Sequence, residues 1–174
     1  MEKVTSLFLI QKAIILERTR YNDYKKISRK VYNIEGKEVL IKLAEIERNH
    51  YRLLKNQIKN IKEFSKINLS SLKNNKIKLL KKEYNFDRMN SSISNDINII
   101  ENAENIERKD PIFYEEISKQ TKDKQLKKVF QFLKEEENKH LKMLRIKLKD
   151  LKILSSKLSM AKDPRIMFYN MTHR

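Results

Sequence analysis

The chain has 174 residues, a length that suits one domain with a substantial hydrophobic core. Its single glycine and two prolines nearly exclude a sandwich, a barrel or an α/β fold with many turns. The lack of cysteine excludes disulfides, cysteine-bound zinc, iron–sulfur centres and thiol catalysis. Its 40 Lys and Arg against 23 Asp and Glu give a formal net charge of +17, which would suit an acidic partner such as nucleic acid.

The helical spacing of apolar residues predicts four long helices, at about residues 4–32, 37–64, 96–121 and 123–152. Gly36 is expected to make the turn between the first two helices. A polar connection is predicted over residues 65–95, with a short helix at 76–84. The tail, 153–174, is expected to add a short helix that breaks near Pro164.

The sequence repeats itself at an offset of 90 residues. "ERTRYNDYKKIS" begins at Glu17, and "ERKDPIFYEEIS" begins at Glu107. In each half a lone glutamate precedes a Glu-x-x-His pair by 30 residues, a spacing that chance does not readily preserve. Identical residues that keep the offset include Glu17 and Glu107, Tyr24 and Tyr114, Ile27 and Ile117, Ser28 and Ser118, Leu43 and Leu133, Glu47 and Glu137, His50 and His140, and Leu54 and Leu144.

Two helical hairpins, at 4–64 and 96–152, are therefore predicted, with the polar segment 65–95 as a crossover between them. A connection of this length can travel along the whole bundle, so the second and third helices can lie parallel. The fold class expected is an all-α four-helix bundle, forming one domain over residues 1–152. The tail at 153–174 follows this domain.

The two Glu-x-x-His pairs indicate a polar site inside the bundle. Residues i and i+3 are neighbours on one helix face, and Glu17 and Glu107 lie in the middle of the apolar stripes of their own helices. If the stripes face one another, four carboxylates and two imidazoles meet in the core, where isolated charges are very costly. Two divalent metal ions would neutralise four carboxylates, and this ligand chemistry suits iron or manganese.

These motifs resemble the rubrerythrin group of the ferritin-like superfamily. The segments "LAEIERNHYRLL" and "FLKEEENKHLKML" resemble its two Glu-x-x-His helices, and "ILERTRYNDY" and "IERKDPIFY" resemble its Glu-then-Tyr helices. The resemblance spans residues 4–150, and the ending "KDPRIMFY" is similar to the short tails of stand-alone members without a rubredoxin domain. It implies a ferritin-like bundle and an oxidoreductase that reduces hydrogen peroxide in oxidative-stress defence.

The resemblance also implies roles for individual residues. Glu47 and Glu137 would bridge two iron ions, with manganese as the alternative metal and with neither haem nor an iron–sulfur centre. Tyr24 and Tyr114 would donate hydrogen bonds to ligand carboxylates. The partners implied are hydrogen peroxide or dioxygen, an external electron-donor protein and a second copy of the chain. The metal ligands would be Glu17, Glu47, His50, Glu107, Glu137 and His140, and the four glutamates would form the catalytic centre.

Three features depart from the family pattern. Rubrerythrins proper carry a cysteine-bound iron that supplies electrons, and this sequence has no cysteine, so an external donor is expected. Where rubrerythrins tend to have an extra glutamate one turn after the third ligand, this chain has the shorter Asp110. Asp110 is expected on the helix surface, with a metal ligand or a neighbour of the ligands as the alternatives. Pro111 lies inside the third helix, and it predicts a kink or a π-bulge beside Glu107.

Two other functions stay open at this point. The same ligands would serve a ferroxidase, an iron-binding or an iron-storage protein that reacts with dioxygen. A basic helical bundle that binds nucleic acid or a partner protein is the second alternative, although the basic residues are spread along the chain. No apolar run approaches the ~18 residues of a membrane span, so a cytoplasmic protein without a membrane partner is expected. Glu104 is expected in solvent, and the segment "LFLI" at 7–10 is expected to offer an exposed dimer surface.

Overall fold

The computed structural model of the protein describes residues 2–60 and 93–161, and side chains within 6–58 and 93–160. The first hairpin consists of α1 (Glu2–Ile27), a short 3-10 helix (Ser28–Lys30) and α2 (Ile34–Asn60). The second consists of α3 (Ile93–Glu107), α4 (Asp110–Gln120) and α5 (Lys124–Ala161). The predicted short helix at 76–84, most of the crossover and the tail from 162 lie outside the described residues.

The described residues contain helices and no strand, and they form an all-α, ferritin-like bundle, which confirms the predicted fold class. Within each hairpin the helices pack along their length, and α2 also contacts α5. No helix in the described part of the chain is long and apolar enough to cross a membrane.

Both hairpins turn in the same way. Asn33 precedes α2 and its side-chain oxygen accepts a hydrogen bond from the backbone N–H of Gly36 at 2.8 Å. Asp123, 90 residues later, precedes α5 and accepts the N–H groups of Gln125 and Leu126 at 2.8 and 3.0 Å. Such caps satisfy backbone donors that have no partner inside the helix. The polar residue at the same place in each half therefore fixes where its second helix begins.

Gly36 does not make the turn, contrary to the sequence prediction. It lies in the first turn of α2, and a Cβ atom there would come within 3.2 Å of Val31 Cγ1. A side chain at position 36 would thus require Val31 to shift slightly, while Asn33 provides the cap.

The apolar core is split into two clusters. One contains Leu40 and Leu43 of α2 with Leu144 and Leu148 of α5. The other contains Leu54 and Ile58 of α2 with residues of α1, α4 and α5. The Glu-x-x-His pairs come between these apolar positions along α2 and α5. The fold therefore holds a layer of buried polar side chains between two apolar clusters.

The third predicted helix is interrupted beside Glu107, as Pro111 predicts. The helix ends at Glu107 and begins again at Asp110, with a turn at residues 108–109 in which the Lys109 N–H bonds to the carbonyl of Ile106 at 3.1 Å. Proline has no N–H with which to bond to the carbonyl of Glu107, and its ring crowds that carbonyl. The interruption is a tight turn rather than the π-bulge offered as one alternative.

Two other local predictions were wrong. The fourth helix was predicted to end near 152, but α5 continues to Ala161, so the start of the predicted tail helix is the last part of α5. In the segment "LFLI", Leu9 and Ile10 are fully buried in the core and only Phe8 is exposed. The chain breaker nearest to the end of α5 is Pro164, which explains why the apolar spacing could continue past 152.

Candidate metal centre

The six side chains expected to bind metal come from four helices and meet in the core. Glu17 lies in α1, Glu107 is the last residue of α3, and α2 and α5 each supply a glutamate and a histidine. All six residues are buried, with at most 5% of their surface exposed: Glu17, Glu47, His50, Glu107, Glu137 and His140. The sequence repeat therefore brings together residues that are up to 123 positions apart along the chain.

The six side chains form two overlapping groups, and each group could surround one ion. The first group contains Glu17, Glu47, His50 and Glu137, and the second contains Glu47, Glu107, Glu137 and His140. In each group, one potential ligand atom from every residue lies within 4.8 Å of the others. Glu47 and Glu137 belong to both groups, which is the arrangement needed for two shared carboxylates between two ions.

The two imidazoles face the carboxylates in similar ways. His50 Nδ1 lies 3.5 Å from Glu137 Oε1 and 3.6 Å from oxygens of Glu17 and Glu47. His140 Nδ1 lies 3.0 Å from oxygens of both Glu47 and Glu137. The rings stack with centroids 5.4 Å apart and planes inclined by 14°. The near-parallel rings thus each direct a nitrogen atom toward the shared carboxylates.

Two buried tyrosines connect the hairpins through the same cluster. The hydroxyl of Tyr24, in the first hairpin, donates a hydrogen bond to Glu107 Oε1 of the second. The hydroxyl of Tyr114, in the second hairpin, donates to Glu17 Oε1 of the first. Burial, and then the charge of the bonded glutamate, raise the pKa of each tyrosine well above its usual value, so both hydroxyls keep their protons. Each tyrosine therefore fixes the orientation of a glutamate from the other hairpin.

The donor set fits bound cations, because several of its atoms have no other partner. Within residues 2–60 and 93–161, no hydrogen bond reaches Glu17 Oε2, Glu107 Oε2 or either oxygen of Glu47. The same holds there for Glu137 Oε1, His50 Nδ1 and His140 Nε2. Buried carboxylate oxygens without a partner are unfavourable in a folded protein. The tyrosine bonds leave the second oxygens of Glu17 and Glu107 free, which suits monodentate binding of an ion by each.

The electrostatics show the same need for positive charge. Burial, and then the charges of neighbouring glutamates, raise the pKa values of Glu47 and Glu107 well above their usual range. Burial alone would lower the pKa of His50, but the carboxylates of Glu137, Glu17 and Glu47, 3.5–3.6 Å from its Nδ1, raise it to about 11. Burial alone would raise the pKa of Glu137, but the nearby imidazoles of His140 and His50 lower it to about 2. By themselves, the side chains balance their negative charge with protons, which metal ions could replace.

Asp110 lies beside this cluster and belongs to neither four-residue group. It is buried, so its predicted position on the helix surface was wrong. Its carboxylate forms an ion pair with Arg20, whose Nη2 donates to Oδ1 at 2.7 Å and whose Nε donates to Oδ2. Sequence reasoning missed Arg20, although its position 90 residues before Asp110 was a signal that could have identified the pair.

Glu104 is also buried, contrary to the prediction that it lies in solvent. Its Oε1 accepts hydrogen bonds from Arg108 at 2.8 Å and from Arg145 at 2.9 Å. These bonds connect the end of α3 to α5 one turn from Glu107. Burial raises the pKa of Glu104, but the bonds and charges of the two arginines outweigh it and hold the pKa below its usual value. The residue therefore stays charged and stabilises the helix that presents Glu107.

The fold and the buried groups define a class: a four-helix bundle whose core holds carboxylates and imidazoles able to bind two metal ions. The family model for Rubrerythrin matches residues 9–151, most of the chain and all six side chains. The protein belongs to the rubrerythrin family, whose members are di-iron carboxylate proteins and generally oxidoreductases.

A solved structure supports the fold. The chain is similar to a hypothetical protein from Pyrococcus furiosus, with a TM-score of 0.62 and 23% sequence identity over 84% of this chain and 89% of that one. At this identity the likeness bears on the fold alone. Among curated proteins, none matches the sequence.

Proposed function

We propose that this protein is a di-iron oxidoreductase that reduces hydrogen peroxide to water, in defence against oxidative stress. The observation that carries the proposal is the pair of four-residue groups that share Glu47 and Glu137. In the proposed arrangement both ions would be held by these two carboxylates. Glu17 and His50 would complete one site, and Glu107 and His140 would complete the other. Iron is the metal proposed from the family, and manganese is the alternative because it accepts the same oxygen and nitrogen ligands.

Bound iron would supply the redox chemistry, since two ferrous ions together hold the two electrons needed for H2O2 + 2 H+ + 2 e− → 2 H2O. The protein's own part is to bind, orient and exclude water. Tyr24 and Tyr114 hold Glu107 and Glu17 in fixed orientations, and apolar clusters on both sides keep the site dry. A buried, preorganised set of charges acts more strongly than the same charges in water.

Re-reduction is proposed to depend on a separate electron-donor protein. The sequence has no cysteine with which to hold an iron–sulfur or rubredoxin-type centre of its own. A cytoplasmic location and a homodimer remain predictions. The dimer surface would have to differ from that predicted at "LFLI", because two of these residues are in the core.

The first experiment is metal analysis of freshly purified protein, with near-ultraviolet absorption after iron loading. Two iron ions per chain are expected. Stopped-flow absorbance of the diferrous protein, mixed anaerobically with peroxide and separately with dioxygen, then tests the reaction. Much faster oxidation by peroxide supports the proposal, whereas faster oxidation by dioxygen would indicate a ferroxidase.

A matched pair of variants on α2 controls this experiment. Glu47→Gln removes a shared carboxylate, and both iron binding and peroxide oxidation are expected to be lost. Glu45→Gln changes an exposed residue two positions earlier, and neither property should change. If the protein instead binds no metal and shifts DNA in a salt-sensitive way that survives Glu47→Ala, the nucleic-acid alternative replaces the enzyme.

A further inference from the structure

A buried ion pair lies one helical turn beyond two of the carboxylates in the cluster. Arg20 follows Glu17 by three residues, and Asp110 follows Glu107 by three. The side chain of Arg20 is 14% exposed and that of Asp110 is 3% exposed. The pair joins α1 to the first turn of α4, directly after the interruption at residues 108–109.

The pairing occupies both oxygens of Asp110. Arg20 Nη2 donates to Oδ1 and Arg20 Nε donates to Oδ2, in the two-pronged geometry typical of a guanidinium and a carboxylate. Two parallel bonds fix the carboxylate plane as well as its position, which one bond from a lysine would not do. Each oxygen keeps a second lone pair, but Arg20 fixes the plane and the position of the carboxylate. A metal ion that needs another orientation of Asp110 would therefore have to break at least one of these bonds.

Asp110 is nevertheless within electrostatic reach of the cluster. Burial raises its pKa to about 6 despite Arg20, and the charges of Glu137 and Glu17 add to the increase. The charge of Asp110 is in turn one of the causes of the raised pKa of Glu107. A freed Asp110 would thus be a buried carboxylate beside other carboxylates, with bound cations as the nearest compensating charge.

We propose that Arg20 is a positioning residue that holds Asp110 outside the metal-binding set, so that the centre uses six protein ligands and not seven. Replacing the guanidinium would release Asp110 toward the ion held by Glu107 and His140. This inference rests on the metal centre proposed above, and it concerns which carboxylates bind, not the reaction.

A crystal structure of the wild-type protein loaded with Mn²⁺ tests the proposal directly. In the expected result, both oxygens of Asp110 accept hydrogen bonds from Arg20, and six protein side chains bind the two ions. An Asp110 oxygen at the ~2.0–2.3 Å of a metal–carboxylate bond would overturn it. The two proposals can fail separately: a wild-type protein that binds no Mn²⁺ refutes the metal centre, whereas bound Mn²⁺ with Asp110 as a ligand refutes only the role of Arg20.

Co²⁺ titration of variants tests the causal role of Arg20. In Arg20→Met the freed Asp110 should become a ligand, increasing Co²⁺ affinity about tenfold and weakening the visible d–d bands, which lose intensity as coordination number rises. Arg20→Met combined with Asp110→Asn should restore the wild-type bands. A purely structural role would lower the melting temperature of Arg20→Met but leave its bands equal to those of the double variant, and that result would overturn the proposal. If Arg20→Met does not fold, the Mn²⁺ structure of the wild type decides.

Discussion

The two hairpins are most alike where they present the buried carboxylates and histidines, and they differ most one helical turn further on. At the shared positions Glu17 matches Glu107 and Tyr24 matches Tyr114, and each tyrosine bonds to the other hairpin's glutamate. Between them, Arg20 in the first hairpin corresponds to Asp110 in the second, and these unequal residues bind each other. The two halves therefore carry different but complementary residues at this position.

A second difference lies in the backbone. Helix α1 runs without a break through Glu17 and Tyr21, whereas the corresponding helix of the second hairpin stops at Glu107, because Pro111 stands where the first hairpin has Tyr21. The repeat thus conserves side-chain placement but not helix continuity. The two halves therefore have in common the positions of the carboxylates rather than the regularity of the helices.

The largest expected effect comes from removing a carboxylate that belongs to both four-residue groups. Glu47→Ala and Glu137→Ala should each abolish binding of both ions. Glu17→Ala and Glu107→Ala should each weaken the binding of only one ion. Metal stoichiometry by elemental analysis after equilibrium dialysis measures the difference.

The controls for these variants are exposed glutamates on the same helices, Glu45→Ala and Glu135→Ala, which should still bind two ions. A Glu137→Ala protein that retained two ions would contradict the sharing of this residue. If Glu17→Ala and Glu107→Ala behaved very differently from one another, the functional equivalence of the two hairpins would be contradicted.

The metal-free protein is expected to lose stability as the pH rises. The folded-state pKa values of Glu47 and Glu107 are raised, and that of His50 is raised from 6.5 to about 11. Groups with a raised folded pKa contribute stability that is fully present below the unfolded pKa and is lost as the pH rises toward the folded pKa. The free energy of unfolding should therefore fall between pH 6.5 and 11, by about 1.4 kcal/mol per pH unit for each proton involved.

Urea denaturation at a series of pH values measures this slope. The metal-loaded protein is the control, because bound ions replace the protons and should flatten or reverse the slope. Binding of Mn²⁺ should also release protons, which calorimetry in buffers of different ionisation enthalpy detects. A metal-free protein whose stability rose over this pH range would contradict the assigned electrostatics.

Removing one tyrosine hydroxyl should weaken metal binding by a smaller amount. Tyr24→Phe and Tyr114→Phe each remove one hydrogen bond to a glutamate of the other hairpin, and loss of such an orienting bond typically costs about 10–100-fold in affinity. The two variants should be affected similarly, since the bonds are reciprocal. Competitive titration with a metal-binding dye provides the measurement, and Tyr21→Phe is the matched control on α1. Equal affinities for wild type and Tyr24→Phe would show that Glu107 needs no orienting bond.

The smallest effect is expected at the helix caps. Asn33→Ala and Asp123→Ala should each lower the free energy of unfolding by about 1 kcal/mol. The loss should be larger for Asp123→Ala, because Asp123 accepts hydrogen bonds from two backbone N–H groups where Asn33 accepts one. The negative charge of Asp123 also interacts favourably with the helix N-terminus. Thermal unfolding compares these variants with Asn49→Ala, an exposed position inside α2. A larger loss of stability in Asn33→Ala than in Asp123→Ala would contradict this prediction.

Much of the fold could be predicted from the sequence because its signals are repeated. The two Glu-x-x-His pairs and the 90-residue offset placed the helices and brought six residues to one layer of the core, where the structure has them. Their role as metal ligands stays a prediction. The interruption beside Glu107 was also predictable, since proline has a local and well-defined effect on a helix.

The residues that were misjudged depend on contacts between distant parts of the chain. Glu104 was predicted in solvent because an isolated glutamate on a helix usually is, but Arg108 and Arg145 together allow it to be buried. Arg20 is one of 40 basic residues, and only its 90-residue offset from Asp110 distinguishes it in the sequence. The spacing of residues within one helix cannot predict such pairs, because the two partners lie in different helices.

The Arg20–Asp110 pair also bears on which hairpins can associate with one another. Each residue contacts its own counterpart in the repeat, so both lie close to the axis that relates the two hairpins. If two copies of the first hairpin assembled alone, they would place arginine against arginine there, and two copies of the second would place aspartate against aspartate, each a buried repulsion. The pair therefore favours one hairpin of each kind over two copies of the same hairpin.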